Sequence, residues 1–335
     1  MPPTMAASWS VHHLPLRWAT CMPASVTAPC CIVLDWGTTM FRALLIDASA
    51  RVIERIETSE GIQFVRDGGF EPILERSIAA WGRSHGALPI YAAGMIGSRN
   101  GWIEMPYVDT PAHAEAIAKA VKAVKLGDGA VVVFIPGLTD KSAHPFPDVM
   151  RGEETQLVGF GLNRDMTVVL PGTHSKWARL EGGAIARFRT YVAGEVFATL
   201  SRHSFLAGVA QQPEKPDWQA FLRGLDTALD RESSLGLLSR LFCVRTGWLA
   251  GGLRPTEMID YLSGVVIGAE FHEARSFGWF RPGDEVGIVG GADLAERYRC
   301  AAETFALKPV LDPGDAMARG CRAIADIAEK LAHGP

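Results

Sequence analysis

No apolar run in the 335-residue chain approaches the roughly 18 residues that a membrane span requires. Cys-x-x-Cys is absent as well. The six cysteines lie at 21, 30, 31, 243, 300 and 321, and only Cys30–Cys31 are adjacent. That spacing suits neither a zinc site nor a disulfide framework and fits a reducing, cytoplasmic setting. Basic charge is not in excess: the net charge of −4 argues against general nucleic-acid binding. G-x-x-x-x-G-K-[ST] does not occur, which excludes a P-loop. The GFGLNRD stretch at Gly159 lacks the third glycine of a dinucleotide fingerprint and follows a predicted helix. His272 opens HEAR rather than H-E-x-x-H, so no zinc protease motif is present. Residues 1–29 hold several prolines and few acids but no continuous apolar stretch. They read as a disordered extension rather than a secretory signal.

What is present is an ordinary globular composition, 48% hydrophobic and 21% charged, with a length that suits two domains. Residues 31–47 read CIVLDWGTTMFRALLID. An apolar strand ends in Asp35, turns through Gly37 and returns as a second strand. A polar structural turn accounts for this pattern. So does a loop whose backbone N–H groups and hydroxyls, from Gly37, Thr38 and Thr39, meet a phosphate while Asp35 faces its metal.

Periodicity then predicts a strand over 52–58, a helix over 71–85, a strand over 88–93, a helix over 112–124 and a strand over 130–135. A polar loop over 139–148 and a helix over 152–162 complete this half. After it the opening plan recurs: MTVVLPGTHSKWARLEGGAIARFR is again strand, Gly-Thr turn, strand, turn, strand. Two copies of one plan predict two similar domains facing each other, each a mixed sheet flanked by helices. Helices are expected over 195–206, 217–229, 235–242 and 257–277. A strand over 285–289, a helix from 293, a strand over 309–311 and a last amphipathic helix over 315–331 follow.

The paired turns carry most of the functional signal. If the domains oppose, Gly37-Thr38 and Gly172-Thr173 grip a polyphosphate from two sides, and Asp35 holds a divalent ion through water. VGIVGGADLAERY ends a strand in Gly290-Gly291 and opens a helix, which lets a flat adenosine approach the backbone. Glu153 and Glu154 open the helix before the second turn. Favourable charge at a positive helix end explains such a pair, and so does a carboxylate aimed at an attacking hydroxyl. Lys176, two residues beyond His174, would neutralise developing charge beside a phosphate.

Taken in order, these elements resemble the actin-like ATPase superfamily, which includes hexokinase and other sugar kinases. LDWGTT, AAGMIGSRNGW, MRGEETQLVG, LPGTHSKW, YVAGE and YLSGVVIGAE resemble the 2-dehydro-3-deoxygalactonokinase family more narrowly, over nearly all of the chain beyond the extension. The resemblance implies an α/β fold of two actin-like (ribonuclease H-like) domains around a cleft. They would span 30–163 and 164–314, with a C-terminal helix over 315–332 packing back on the first. It implies ATP and Mg²⁺, and phosphorylation of 2-dehydro-3-deoxy-D-galactonate on its 6-hydroxyl in galactonate breakdown.

On this likeness Asp35 serves the metal, and Gly37, Thr38 and Thr39 form one phosphate loop. Gly172, Thr173 and His174 form the other, Gly290 and Gly291 meet adenosine, and Gly314 belongs to the Gly-Asp-Ala before the last helix. Glu154-Thr155 matches the Asp-Thr pair of hexokinase-like members, which makes Glu154 the base and Glu153 its alternate. A sugar acid needs an Arg for its carboxylate and polar groups for its hydroxyls. Arg99 and Asn100 are the first candidates, then Arg189, Thr190 and Glu195. A kinase of the same superfamily acting on another sugar acid, such as 2-dehydro-3-deoxygluconate, and a non-catalytic nucleotide-gated ATPase or sensor remain alternatives. Neither nucleic acid nor membrane is expected as a partner, and homodimerisation is left open.

Overall fold

The computed structural model describes residues 27–229 and 235–333. The extension read over residues 1–29 lies, through residue 26, outside the described residues, and Pro29 already belongs to the first strand. The described residues form two compact units, those up to 162 with those from 315 onward, and those between 163 and 314.

In the first unit the chain runs through β1 (Pro29–Trp36), β2 (Phe41–Asp47), β3 (Val52–Thr58), α1 (Phe70–His85) and β4 (Ile90–Ala93). Next come β5 (Tyr107–Asp109), α2 (Ala114–Lys119), β6 (Lys122–Lys125), β7 (Val131–Phe134), β8 (Gly137–Asp140), β9 (Asp148–Met150) and α3 (Glu153–Phe160). Six strands pair in the order β3-β2-β1-β4-β7-β6. β1 is central, antiparallel to β2 and parallel to β4. Its Ile32, Leu34 and Trp36 share a core with Phe70, Leu74 and Trp81 of α1. Strand side chains alternate between faces, so the residues between these belong to the opposite face.

Two expectations need correction. The helix predicted over 112–124 spans only Ala114–Lys119, and Lys122–Lys125 is a strand paired antiparallel with β7. A tight turn causes this: the Leu126 N–H donates to Ala130 O at 2.8 Å, and Gly129 supplies the positive φ of +92°. The polar loop over 139–148 is bordered by β8 and β9, and β8 lies between β5 and β9 in a small separate sheet.

The second unit comprises β10 (Met166–Leu170), β11 (Ser175–Glu181), β12 (Ala184–Tyr191), α4 (Ala193–His203), α5 (Trp218–Leu229), α6 (Leu237–Leu249) and α7 (Met258–Ser276). It ends with β13 (Glu285–Ile288), α8 (Ala292–Thr304) and β14 (Lys308–Leu311). The sheet order, β12-β11-β10-β13-β14, reproduces β3-β2-β1-β4-β7. Pairing senses match too, antiparallel on one side of the central strand and parallel on the other. The repeat read in the sequence is thus a repeat of topology. α6 runs past the residue 242 where it was expected to stop, because Val244 and Trp248 continue its apolar face into a core with Leu253 and Leu262.

α9 (Ala316–His333) then rejoins the first unit, packing against α2, α3, β1 and β4. It meets α3 at backbone distance. A Cβ on Gly320 would sit 1.8 Å from Thr155 O, and one on Gly159 would sit 1.9 Å from Ala316 O. Only glycine permits that approach.

Candidate active site

The first unit builds its site where β1 and β4 end and α3 begins. Trp36 is fully buried and packs edge-on against Phe41 at 4.7 Å, which fixes both strands that flank the turn. Within the turn the Gly37 N–H donates to Met40 O at 2.9 Å. The carbonyls of Gly37, Thr38 and Thr39 accept from the N–H groups of Ile62, Gln63 and Gly61 at 3.0, 3.2 and 3.1 Å. Those bonds tie the carbonyls back while Thr38 and Thr39 stay exposed. A Cβ on Gly61 would fall 2.3 Å from Thr38 O, so this glycine is what lets the support close.

Asp35 stands beside that turn. Its Oδ2 accepts from Arg42 Nη1 at 3.0 Å, and its side chain keeps 18% exposure. Burial raises its pKa, with Arg42 opposing and Glu153 adding to the rise. Gly94, with φ +90°, closes the end of β4 against it: a Cβ there would lie 3.0 Å from Trp36 O and 3.3 Å from Asp35 Oδ1. Gly152, with φ +105°, brings the start of α3 onto Gly94, its Cβ position 3.2 Å from Gly94 Cα.

The two glutamates of α3 are unlike. Glu154 is fully buried; its Oε2 accepts from the Gly152 N–H at 2.7 Å and its Oε1 from Thr155 Oγ1 at 2.8 Å. Desolvation, then the charge of Glu153, pushes its pKa up to about 7. Glu153 is half-buried, and its Oε2 accepts from the Arg151 N–H at 3.0 Å. The structure therefore gathers Asp35, Gly37, Thr38, Thr39, Glu153 and Glu154 at one edge. Arg99 and Asn100 are exposed in the loop after β4.

Among the described residues no group of three or more His, Cys, Asp and Glu is placed to hold a metal. A single partly exposed carboxylate suits a divalent ion that keeps most of its own water, so Asp35 fits Mg²⁺ in that mode. Burial raises the pKa of Asp35 and of Glu154, with the charge of Glu153 adding to each rise, so a cation arriving there would favour their ionised forms.

The second unit repeats the supported turn. Thr173 and His174 are exposed, and the Thr173 carbonyl accepts from the Glu195 N–H at 2.9 Å. A Cβ on Gly194 would sit 2.2 Å from Gly172 O. His174 Nε2 and Glu195 Oε2 lie 2.7 Å apart, so Glu195 belongs to this turn. In both halves the supporting glycine stands three residues beyond the end of the third strand, at Gly61 after Thr58 and at Gly194 after Tyr191. That matched spacing is a signal the sequence reading missed.

Gly290 packs near Pro171, its Cβ position 3.5 Å from the proline ring, so the turn before α8 neighbours the second Gly-Thr turn. Gly290 and Gly291 are exposed. A cavity of about 230 Å³ is lined by Gly172, Gly194, Ser263, Leu294 and Arg297 among others. Behind the turn, buried Glu270 accepts from Trp177 Nε1 at 2.7 Å and Tyr298 Oη at 2.6 Å, tying β11 to α7 and α8.

Lys176 is buried, with Nζ donating to His174 O at 3.1 Å, so it braces the turn rather than projecting from it. Thr190 lines a larger cavity of about 470 Å³ with Tyr191, Arg240 and Glu270. Arg189 is drawn instead over the Phe277 ring, 5.9 Å away beyond the C-terminal end of α7. Gly314, with φ +108°, donates its N–H to the Asp312 carboxylate just past β14.

Comparison with known proteins agrees with this architecture. A protein of Rhizobium meliloti (strain 1021) named as a probable 2-dehydro-3-deoxygalactonokinase is 34% identical over 301 residues, 87% of this chain and 95% of its own. The 2-dehydro-3-deoxygalactonokinase of Escherichia coli (strain K12) is 32% identical over 296 residues, 88% of this chain and 97% of its own. A crystal structure from Sinorhizobium meliloti, given the same enzyme name provisionally, superposes with a TM-score of 0.76 at 32% identity. It covers 88% of this chain and 98% of that one. The fold is the same α/β architecture as that structure, with a mixed sheet in each unit as the motif order implied. The 2-keto-3-deoxy-galactonokinase family model matches residues 35–324, and the chain belongs to that family.

Proposed function

We propose that this kinase transfers the γ-phosphoryl group of ATP to the 6-hydroxyl of 2-dehydro-3-deoxy-D-galactonate. Family membership supplies the reaction class. The structural observation that carries the reading is the duplicated turn, with carbonyls tied back, threonines exposed and a glycine backing it in each unit. Such turns offer N–H groups and hydroxyls to phosphate oxygens. The cavity beside Gly172 and α8 suits the nucleoside part of ATP.

Mg²⁺ held at Asp35 would neutralise charge on the phosphates. Glu153, the more open of the two glutamates, meets the acceptor hydroxyl and takes or orients its proton. Glu154 lies behind it, locking the start of α3 through the Gly152 N–H and the Thr155 hydroxyl. This order reverses the one the Asp-Thr likeness implied, and the reason is burial: a fully covered carboxyl with both oxygens engaged is poorly placed to touch a substrate. His174 and Lys176 complete the second turn.

Purified protein incubated with ATP, Mg²⁺ and the sugar acid should yield ADP and a mass corresponding to the phosphorylated acid. ADP release without a phosphorylated acid would refute transfer to this acceptor. The gluconate-derived epimer, run in parallel, reads the stereochemical preference.

A further inference from the structure

The segment that opens α3 carries a cation with few partners of its own. Arg151, directly before Gly152, is 8% exposed. Its Nη2 donates to Met105 O at 3.0 Å, and its guanidinium stands 4.4 Å from the centre of the Tyr107 ring. Nε and Nη1 are buried without a hydrogen-bond partner, and so is the hydroxyl of Ser98. A buried cation with unmet N–H groups is costly to keep, and such groups are ordinarily matched by an acceptor. Nothing in the nearby loop supplies one to these atoms.

The loop is nonetheless shaped around the guanidinium. A Cβ on Gly97 would lie 3.2 Å from Arg151 Nη1, and one on Gly101 would lie 2.1 Å from Ile96 O, so both glycines let the chain fold tightly there. The Met105 N–H donates to Gly97 O at 2.9 Å and holds the loop closed.

We infer that Arg151 and Ser98 form the subsite for the carboxylate of the acceptor, a deduction that rests on the sugar-acid reading above. A carboxylate accepts from Arg151 Nη1 and from Ser98 Oγ, the two orphaned donors beside Gly97, in a charge-assisted contact. The same short segment then serves both ends of a six-carbon acid. Glu153 folds back onto the Arg151 N–H, while the guanidinium runs away from it to Met105 and Tyr107. Neutral sugars lack the anion and leave the cation unmet, which discriminates against them. Arg99 and Asn100, chosen from sequence for this role, lie in the same loop but on its exposed side.

Steady-state kinetics and calorimetry on the full chain test the assignment. Arg151→Lys should raise the KM for the sugar acid about 10- to 100-fold, the range of a lost charged hydrogen bond. Ser98→Ala should raise it about 3- to 10-fold. In both, the KM for ATP and the melting temperature should stay near the parent values. An unchanged KM for the acid in either folded variant, or an equal rise in the KM for ATP, overturns the subsite. If Arg151→Lys fails to fold, Ser98→Ala decides alone. Titrating the acid into parent and variants without ATP keeps the two readings apart. Weaker binding by the variants upholds the subsite even where the parent transfers no phosphate, a result that would sink the kinase reading alone. Absence of binding to the parent overturns the subsite.

Discussion

Burial and the charge of Glu153 oppose the ionisation of Asp35 and Glu154, and each of these three carboxyls leads to a measurable expectation. Glu153→Gln should lower kcat by about 10²- to 10⁴-fold, the usual contribution of a general base, with the KM for ATP little changed. An equal or larger loss in Glu154→Gln with Glu153→Gln active would restore Glu154 as the base. Glu154 also carries a pH signature, since its pKa rises from 4.5 to about 7 on folding. Between those values the unfolded chain has released the proton that the folded protein still holds. Stability from this group is therefore lost as pH climbs through the window and stays lost above it. Melting curves of Glu154→Gln against the parent should show the variant gaining relative stability from pH 5 to pH 8. A difference that does not vary with pH would contradict the assignment. At Asp35 the expectation concerns the ion. Mg²⁺ should raise the melting temperature of the parent in the presence of ATP and do so less in Asp35→Asn. Equal shifts would remove Asp35 from the metal site.

At the scale of elements, glycines set how closely backbones approach. Gly194→Ala would drive a methyl into Gly172 O at 2.2 Å and displace the second turn. Its expected result is a higher KM for ATP, measured by ADP release. Gly320→Ala would separate α9 from α3, at about 1–3 kcal/mol for overpacking, read as a lower denaturation midpoint. The strands were legible because β-branched and apolar runs end at clear turn residues; β3 spans the very residues read for it. Helices were legible in kind but not in length. Ala114–Lys119 and Lys122–Lys125 carry similar residues, and only the Gly129 turn and the pairing with β7 decide between helix and strand. The site was legible where motifs lie at strand ends. Arg151 was not, since its meaning comes from Met105, Tyr107 and Ser98, brought to it by folding rather than by spacing.

For the whole molecule the division of labour is an expectation of its own. Hydrogen exchange with ATP present should slow at 172–174 and 290–298 in the second unit and at 37–39 in the first. The sugar acid should slow it at 94–105 and 151–155. Protection by the acid confined to the second unit would contradict the assignment of acceptor recognition to the first.

The route of the chain has a further consequence. The second unit is one continuous stretch, whereas the first is interrupted and regains α9 only from residue 315 onward. During synthesis the helix bearing the two glutamates emerges before the whole of the second unit, and its buttress only after it. Until then Thr155 and Gly159, which Gly320 and Ala316 approach at backbone distance, lack that partner. A product terminated shortly before α9 should therefore retain an intact second unit, show no phosphotransfer, and be recognised by chaperones and proteases through that uncovered helix.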